Sequence, residues 1–389
     1  MRLIKNGIVL TMEGDTYENG FVITNGKLIH AVGGMESLPS MEFESEFDAC
    51  GGYIVPGFVD AHSHIGMWED SHSIECDDGN DDMEPIMPQL RAIDAANPFD
   101  FAFREAAAAG VSCTVTGPGS ANPIGGQMVA MKTFGRRIDD MAVKSCAAMK
   151  FAFGENPKSC HDDKHDGPTT RMGTAALIRE ALFKAREYGE KKRLYAENPD
   201  ENDKPDFDFS LEALLPCLDG KMIVKAHAHR ADDIFTAIRI KNEFGLKMSI
   251  EHCTDGHLIA DLLAEEGVGA CVGPSLTDRS KSELSNLSFR TASALSQANV
   301  RVAIITDHPE IPQKLLPLCA AMAVKAGMHR NAALRAITID AARLCGIDAF
   351  VGSLKAGKDA DVSVFDGYPV DFNSRPVYLM QNGVPLDIL

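Results

Sequence analysis

Tyr53-Ile54-Val55-Pro56-Gly57-Phe58-Val59-Asp60-Ala61-His62-Ser63-His64 is an apolar, β-branched run that closes on a histidine pair. Such a run reads as a buried strand. Side chains two apart on a strand project to the same side. His62 and His64 therefore leave its C-terminal end together, with geometry suited to gripping one metal ion. Three later runs repeat the pattern in order. Val224-Lys225-Ala226-His227-Ala228-His229 ends in a second histidine pair, and Met248-Ser249-Ile250-Glu251-His252 ends in a histidine. Ala303-Ile304-Ile305-Thr306-Asp307-His308-Pro309 delivers a carboxylate. A single strand-terminal histidine is usually structural. Four apolar strands that each present His or Asp at the same end point to one shared site.

The pattern around these runs alternates strand and helix. Further strands are expected at 112–116, 147–153, 222–228, 247–251, 269–272 and 300–306. Helices are expected at 99–109, 173–188, 232–244, 256–266, 288–297, 315–326 and 331–342. Alternation of this kind implies parallel pairing with right-handed crossovers. The number of units suggests a (β/α)8 TIM barrel, whose chemistry sits at the C-terminal strand ends. Both chain ends read as β-structure instead, with strands at 3–12, 20–24 and 27–32, and again at 361–365 and 377–380 before the hairpin-type turn Asn382-Gly383. Neither end can bury a core alone, so the two are expected to pack together as one small sheet domain. The acidic stretch 198–208 reads as a solvated loop, and the His-rich stretch 159–171 as a loop or an active-site lid.

Composition narrows the function classes. The 389-residue chain is 45% hydrophobic and 24% charged, the profile of a globular protein long enough for one large domain and a smaller one. A formal net charge of −18 argues against nucleic acid or an anionic membrane as partner. No apolar run is long enough to cross a bilayer, and the N-terminus has no signal-peptide core. The ten cysteines are scattered through apolar runs without a Cys-x-x-Cys, which suits reduced thiols in a cytoplasm and excludes a zinc ribbon. The expected partner is a small-molecule substrate, and a homo-oligomer is left open.

With these residues in hand, the chain resembles the amidohydrolase superfamily, in particular the branch containing imidazolonepropionase and the metal-dependent Xaa-Pro dipeptidases. The resemblance rests on Pro56-Gly57-Phe58-Val59-Asp60-Ala61-His62-Ser63-His64 and on the tail Gly352-Ser353-Leu354-Lys355-Ala356-Gly357-Lys358-Asp359-Ala360-Asp361. It implies an α/β fold: a TIM barrel over 57–345, with a small β-sandwich domain built from 1–56 and 346–389. It further implies that His62 and His64 are first-strand metal ligands, His227 the fifth-strand ligand, His252 the sixth-strand histidine and Asp307 the eighth-strand aspartate. His227 is preferred over His229 as ligand, because family members put the ligand before a small residue; His229 would then line the pocket. Asp307 would bind metal and take the proton from the attacking water. The expected cofactor is Zn2+, one ion or two, with Mn2+ or Fe2+ as alternatives.

Two-metal members use a bridging carboxylated lysine or a bridging glutamate, and Met149-Lys150-Phe151-Ala152-Phe153-Gly154-Glu155 offers both. Glu155, at the strand's end, is preferred as a bridging or single-metal ligand; Lys150, deeper in the barrel, is the alternative. In a one-metal site His252 would instead polarise the substrate carbonyl. The glycine-rich stretch from Thr116 to Gln127 is expected as a loop whose backbone N–H groups, with Gln127, contact substrate. Arg171, beside His161 and His165 on the lid, is expected to grip a substrate carboxylate by its fork. The expected reaction is hydrolysis of an amide or cyclic-amide C–N bond. The alternatives are deamination of a heterocycle, which lacks the usual His-x-x-Glu after the fifth strand here, and a non-catalytic metal-binding scaffold.

Overall fold

The computed structural model describes residues 1–69, 74–161 and 167–388. The N-terminal segment supplies β1 (Arg2–Leu10), β2 (Thr16–Asn25), β3 (Leu28–Gly34), β4 (Ser45–Asp48) and β5 (Tyr53–Pro56). A second sheet follows: β6 (Phe58–Ser63), β7 (Val111–Thr116), β8 (Ile124–Lys132), β9 (Ala142–Ala152), β10 (Ile223–Ala228), β11 (Met248–His252), β12 (Gly269–Val272) and β13 (Val302–Ile304). The chain closes with β14 (Val362–Phe365), β15 (Pro376–Gln381) and β16 (Val384–Pro385).

Both ends join in a single hydrogen-bonded sheet. Its order is β16-β15-β14-β5-β1-β2-β3, with β4 on the side of β1. The seam is the antiparallel pairing of β5 with β14, Pro56 opposite Val362 and Tyr53 opposite Phe365. Only Gly57 separates β5 from the first barrel strand, so this sheet anchors the start of the site-bearing strand directly.

The second sheet runs β6 through β13 in sequence order, eight neighbours around a barrel. The strands are parallel except β8, which is antiparallel to both β7 and β9. This corrects the expectation of an all-parallel barrel and of a loop through Gln127. The stretch Ile124-Gly125-Gly126-Gln127-Met128-Val129-Ala130-Met131-Lys132 is wholly buried, which a solvated loop would not be. Residues 117–123 and 133–141 are also too few for the dozen-residue crossover that a parallel neighbour needs. The chain therefore returns by hairpins. Between β13 and β6 the sheet closes at the site end, where the Asp307 N–H donates to the His62 carbonyl (3.2 Å) and the His64 N–H to that of His308 (2.9 Å).

Helices cover the outside of the parallel strands. Arg171–Glu197 is longer than its apolar period suggested, capped by the Thr170 hydroxyl accepting from the Gly173 N–H. Ala231–Phe244 stops at Gly245, whose φ of 69° suits the left-handed cap that glycine tolerates best. None of the described helices is long and apolar enough to cross a membrane. Cys113, Cys217, Cys253, Cys271, Cys319 and Cys345 are buried thiols.

The tail motif has a physical role at the junction of the two sheets. Lys132, at the end of β8 and almost fully buried, places its Nζ 2.5 Å from Asp361 and 2.8 Å from Asp359. Breaking a buried pair by removing one partner leaves an uncompensated charge and typically costs 3–5 kcal/mol. Lys132→Met is expected to destabilise the protein by about that amount. An unchanged denaturation midpoint would show that the junction does not depend on this pair.

Candidate metal centre

The inward-facing side chains of β6, β9, β10 and β11 converge at one end of the barrel with Asp307 from the turn after β13. Alternation places His62 and Asp60 on the inner face of β6, Lys150 on that of β9, and Lys225 and His227 on that of β10. It would also place Glu251 inside and His252 outside on β11. His252 escapes that rule because its backbone is left-handed, φ 68°, and so is that of Cys253. Asp307 shares this conformation at φ 56°. Each such non-glycine residue costs on the order of 1–3 kcal/mol, a strain characteristic of functional sites.

Two clusters of donor atoms result, His62 with His64 and Asp307, and His227 with His229 and His252. Within each, the potential ligand atoms lie within 4.8 Å of one another. In the first, Asp307 Oδ1 is 3.4 Å from His62 Nε2 and 3.2 Å from His64 Nε2. The clusters adjoin through His252, whose ring centroid is 5.4 Å from that of His62 and 4.3 Å from that of His227.

Partners behind each ring hold it in place. His64 Nδ1–H donates to the Gly117 carbonyl (2.6 Å) and His252 Nδ1–H to that of Gly273 (2.8 Å). His62 Nδ1 is 2.9 Å from Glu251 Oε2. His227 and His229 engage the hydroxyls of Ser120 (2.9 Å) and Thr254 (2.8 Å) through Nδ1. Every ring thus keeps Nε2 for the centre, the arrangement that fixes the tautomer of a metal-binding histidine. His227 Nε2 and His252 Nε2 are buried without a hydrogen-bond partner among the described residues. Buried polar atoms are seldom left so, and a cation would satisfy them.

The electrostatics suit the same occupant. Burial pushes the pKa of His252 down to about 3 and those of His227 and His229 well below the ordinary histidine value, keeping the rings neutral, as ligands must be. Burial alone would raise the Asp307 carboxyl, but His252, His62 and His64 outweigh it and hold it well below the usual range. Beneath the rings lies a fully buried ion pair, Lys225 Nζ to Glu251 Oε2 at 2.9 Å. The Ser249 hydroxyl donates to the other Glu251 oxygen. This pair was not among the expected site residues, although a lone charge inside each of two apolar strands signals a buried partner.

Lys150 and Glu155 part company. Lys150 is fully buried, with Nζ 3.0 Å from His62 Nε2, and burial lowers its pKa to about 8. Glu155 opens the short helix Glu155–His161 and lines the cavity, outside both donor clusters; its backbone N–H donates to Glu283. That cavity, of about 670 Å³, reaches His64, His227, His229, His252 and Asp307.

Two expected substrate contacts lie elsewhere. Arg171 is held by Asp233, Nε to the two carboxylate oxygens at 2.9 and 3.0 Å, and does not line the cavity. Gln127 sits in β8 and donates to the Pro88 carbonyl (3.2 Å), again away from the cavity. His229, expected to line the pocket, does so from within the second donor cluster. His161 is buried against Asn122 at 3.0 Å. His165 lies outside the described residues.

The barrel's strand ends thus converge on two clusters of imidazole and carboxylate groups that could each hold a metal ion. Residues 204–388 match the amidohydrolase family. An amidohydrolase from Thermotoga maritima is 37% identical and superposes with a TM-score of 0.93, over 99% of each chain. The chain belongs to the amidohydrolase family. The amidohydrolase tasK of Hapsidospora irregularis is 28% identical over 358 residues, 87% of this chain, which spans only 36% of that relative's length. An imidazolonepropionase of Acinetobacter baumannii is 33% identical over 66 residues, 16% of this chain, a likeness too local to assign a branch.

Proposed function

We propose that this chain is a two-cation hydrolase that opens an amide or cyclic-amide C–N bond in a small molecule. The observation that carries this reading is that two donor clusters lie side by side, adjoining where the His252 ring stands 5.4 Å from that of His62 and 4.3 Å from that of His227. His62, His64 and Asp307 would hold one cation, and the second cluster the other. Zinc suits the imidazole and carboxylate donors best, with Mn2+ or Fe2+ as alternatives. Lys150, rather than Glu155, would join the two: its amine adds to carbon dioxide, forming an N–C bond and releasing a proton, to give a carboxylate between the clusters. The assignment rests on position, because the Lys150 amine reaches His62, whereas the Glu155 carboxylate lies outside both donor clusters.

The bound cations would lower the pKa of water toward about 7, supplying hydroxide at neutral pH. Asp307, ionised and facing the cavity, accepts the proton from the attacking water and passes it to the leaving nitrogen. Burial keeps His64, His227, His229 and His252 neutral, and carbonyl, hydroxyl and carboxylate partners position the five rings. The cavity is of a size for a small molecule. Residues 57–345 form the catalytic unit in this reading, with 1–56 and 346–389 as the small β-sandwich domain.

A panel of cyclic amides, N-acyl amino acids, Xaa-Pro dipeptides and aminated heterocycles, assayed with the zinc- or manganese-loaded protein, tests this function. Release of an amine or a ring-opened acid is expected. Ammonia release would move the assignment to a deaminase, and silence across the panel to a metal-binding scaffold.

A further inference from the structure

The second cluster has a neighbour that the ligand set above does not use. Glu283 lies in the short turn Ser282–Leu284 that follows β12 and is almost completely buried, its side chain 1% exposed. One carboxylate oxygen, Oε2, accepts the Glu155 N–H at 3.0 Å. The other, Oε1, faces the histidines, 3.6 Å from His229 Nε2 and 3.9 Å from His227 Nε2. Lys281 Nζ forms an ion pair with the same oxygen at 2.6 Å.

The His229 spacing is that of atoms that share a metal, and the His227 spacing lies just beyond it. With bonds of about 2.0–2.2 Å, two ligands at tetrahedral or trigonal angles lie roughly 3.3–3.8 Å apart. Asp307 stands at 3.2 and 3.4 Å from its own two histidines. Oε1 of Glu283 stands in nearly the same relation to His227 and His229. The backbone makes room for it. Gly154 has a φ of 82°, and a Cβ there would lie 2.8 Å from Glu283 Oε2, closer than real contacts allow. A carboxylate oxygen also has two lone-pair directions, so Lys281 and a cation can share Oε1.

We infer that Glu283 is a ligand of the second cation, completing a four-donor set with His227, His229 and His252. The inference rests on the two-cation reading above. It assigns to the turn after β12 a direct part in metal capture. It also gives the second centre an anionic donor of its own, as Asp307 gives the first.

Stepwise titration of the metal-free protein with Co2+, followed by its visible absorption and by competition with a chromophoric chelator, tests this. Wild-type protein is expected to take up two equivalents. Glu283→Gln keeps the shape of the side chain and an acceptor for the Glu155 N–H. It should leave the first equivalent unchanged and weaken the second by more than about 100-fold, beyond the 10–100-fold typical of a partner that only supports a ligand. The visible band of the second equivalent should change as well. Lys281→Met should keep both equivalents, since the ammonium is not a donor. Should Glu283→Gln fail to fold, Glu283→Asp retains the charge but withdraws Oε1, and should show the same selective loss. Two equivalents of wild-type affinity with an unaltered spectrum in Glu283→Gln would overturn the ligand assignment alone. A single equivalent in the wild-type protein would overturn the two-cation reading, and this inference with it.

Discussion

Asp307→Asn is expected to fold, to keep its cations and to bind substrate, yet to lose turnover by a factor on the order of 10²–10⁴, the usual worth of general acid–base catalysis. Asparagine has nearly the same shape and keeps an oxygen that can face a cation, but it cannot take a proton from water at neutral pH. The expectation rests on Asp307 being ionised among His252, His62 and His64 and lining the cavity. His308→Ala is the contrast. Its ring accepts the Gln313 N–H and lies outside the cavity lining, so its loss should cost turnover far less. Cation content must be measured beside the rate. Near-normal turnover in cation-replete Asp307→Asn would place the base elsewhere.

Lys150→Ala should be nearly as damaging, by a different route. Lys150 is the one amine among the described residues in hydrogen-bond contact with a proposed histidine ligand, at 3.0 Å from His62 Nε2. Its loss should drop cation content from two equivalents to one or none and turnover with it, by at least about 100-fold. Glu155→Ala should leave the cation content at two equivalents, since its carboxylate joins neither cluster. Partial recovery of Lys150→Ala by an added short carboxylic acid would show that a carboxylate is what the position supplies. Loss of one equivalent in Glu155→Ala, with Lys150→Ala unaffected, would return the bridge to the glutamate.

The residues legible in the sequence were those that strand periodicity exposes. His62, His64 and His227 follow from apolar strands with a period of two, and the barrel from alternation with helices. Where the backbone leaves that regularity, prediction weakens. His252 reaches the cavity through a left-handed φ that no pattern announces, while the buried Glu251 takes the inward position beside it. β8 was hidden because Gly125 and Gly126 read as loop punctuation, although the apolar run behind them is buried. Arg171 looked free to meet a substrate, but tertiary packing brings Asp233 to it from another helix. Glu283 lies far from every motif and enters the site only because Gly154 leaves it space. The preference for Glu155 over Lys150 came from placing ligands at strand ends. In the structure Lys150 reaches His62, while Glu155 lines the cavity beside the clusters.

The central claim is that two cations sit side by side at this barrel end. Crystals of the protein purified with its native metal, measured at an absorption edge, test it most directly through the anomalous difference map. Two peaks are expected, one among His62, His64 and Asp307, the other among His227, His229, His252 and Glu283. A single peak, or peaks away from these side chains, would contradict it.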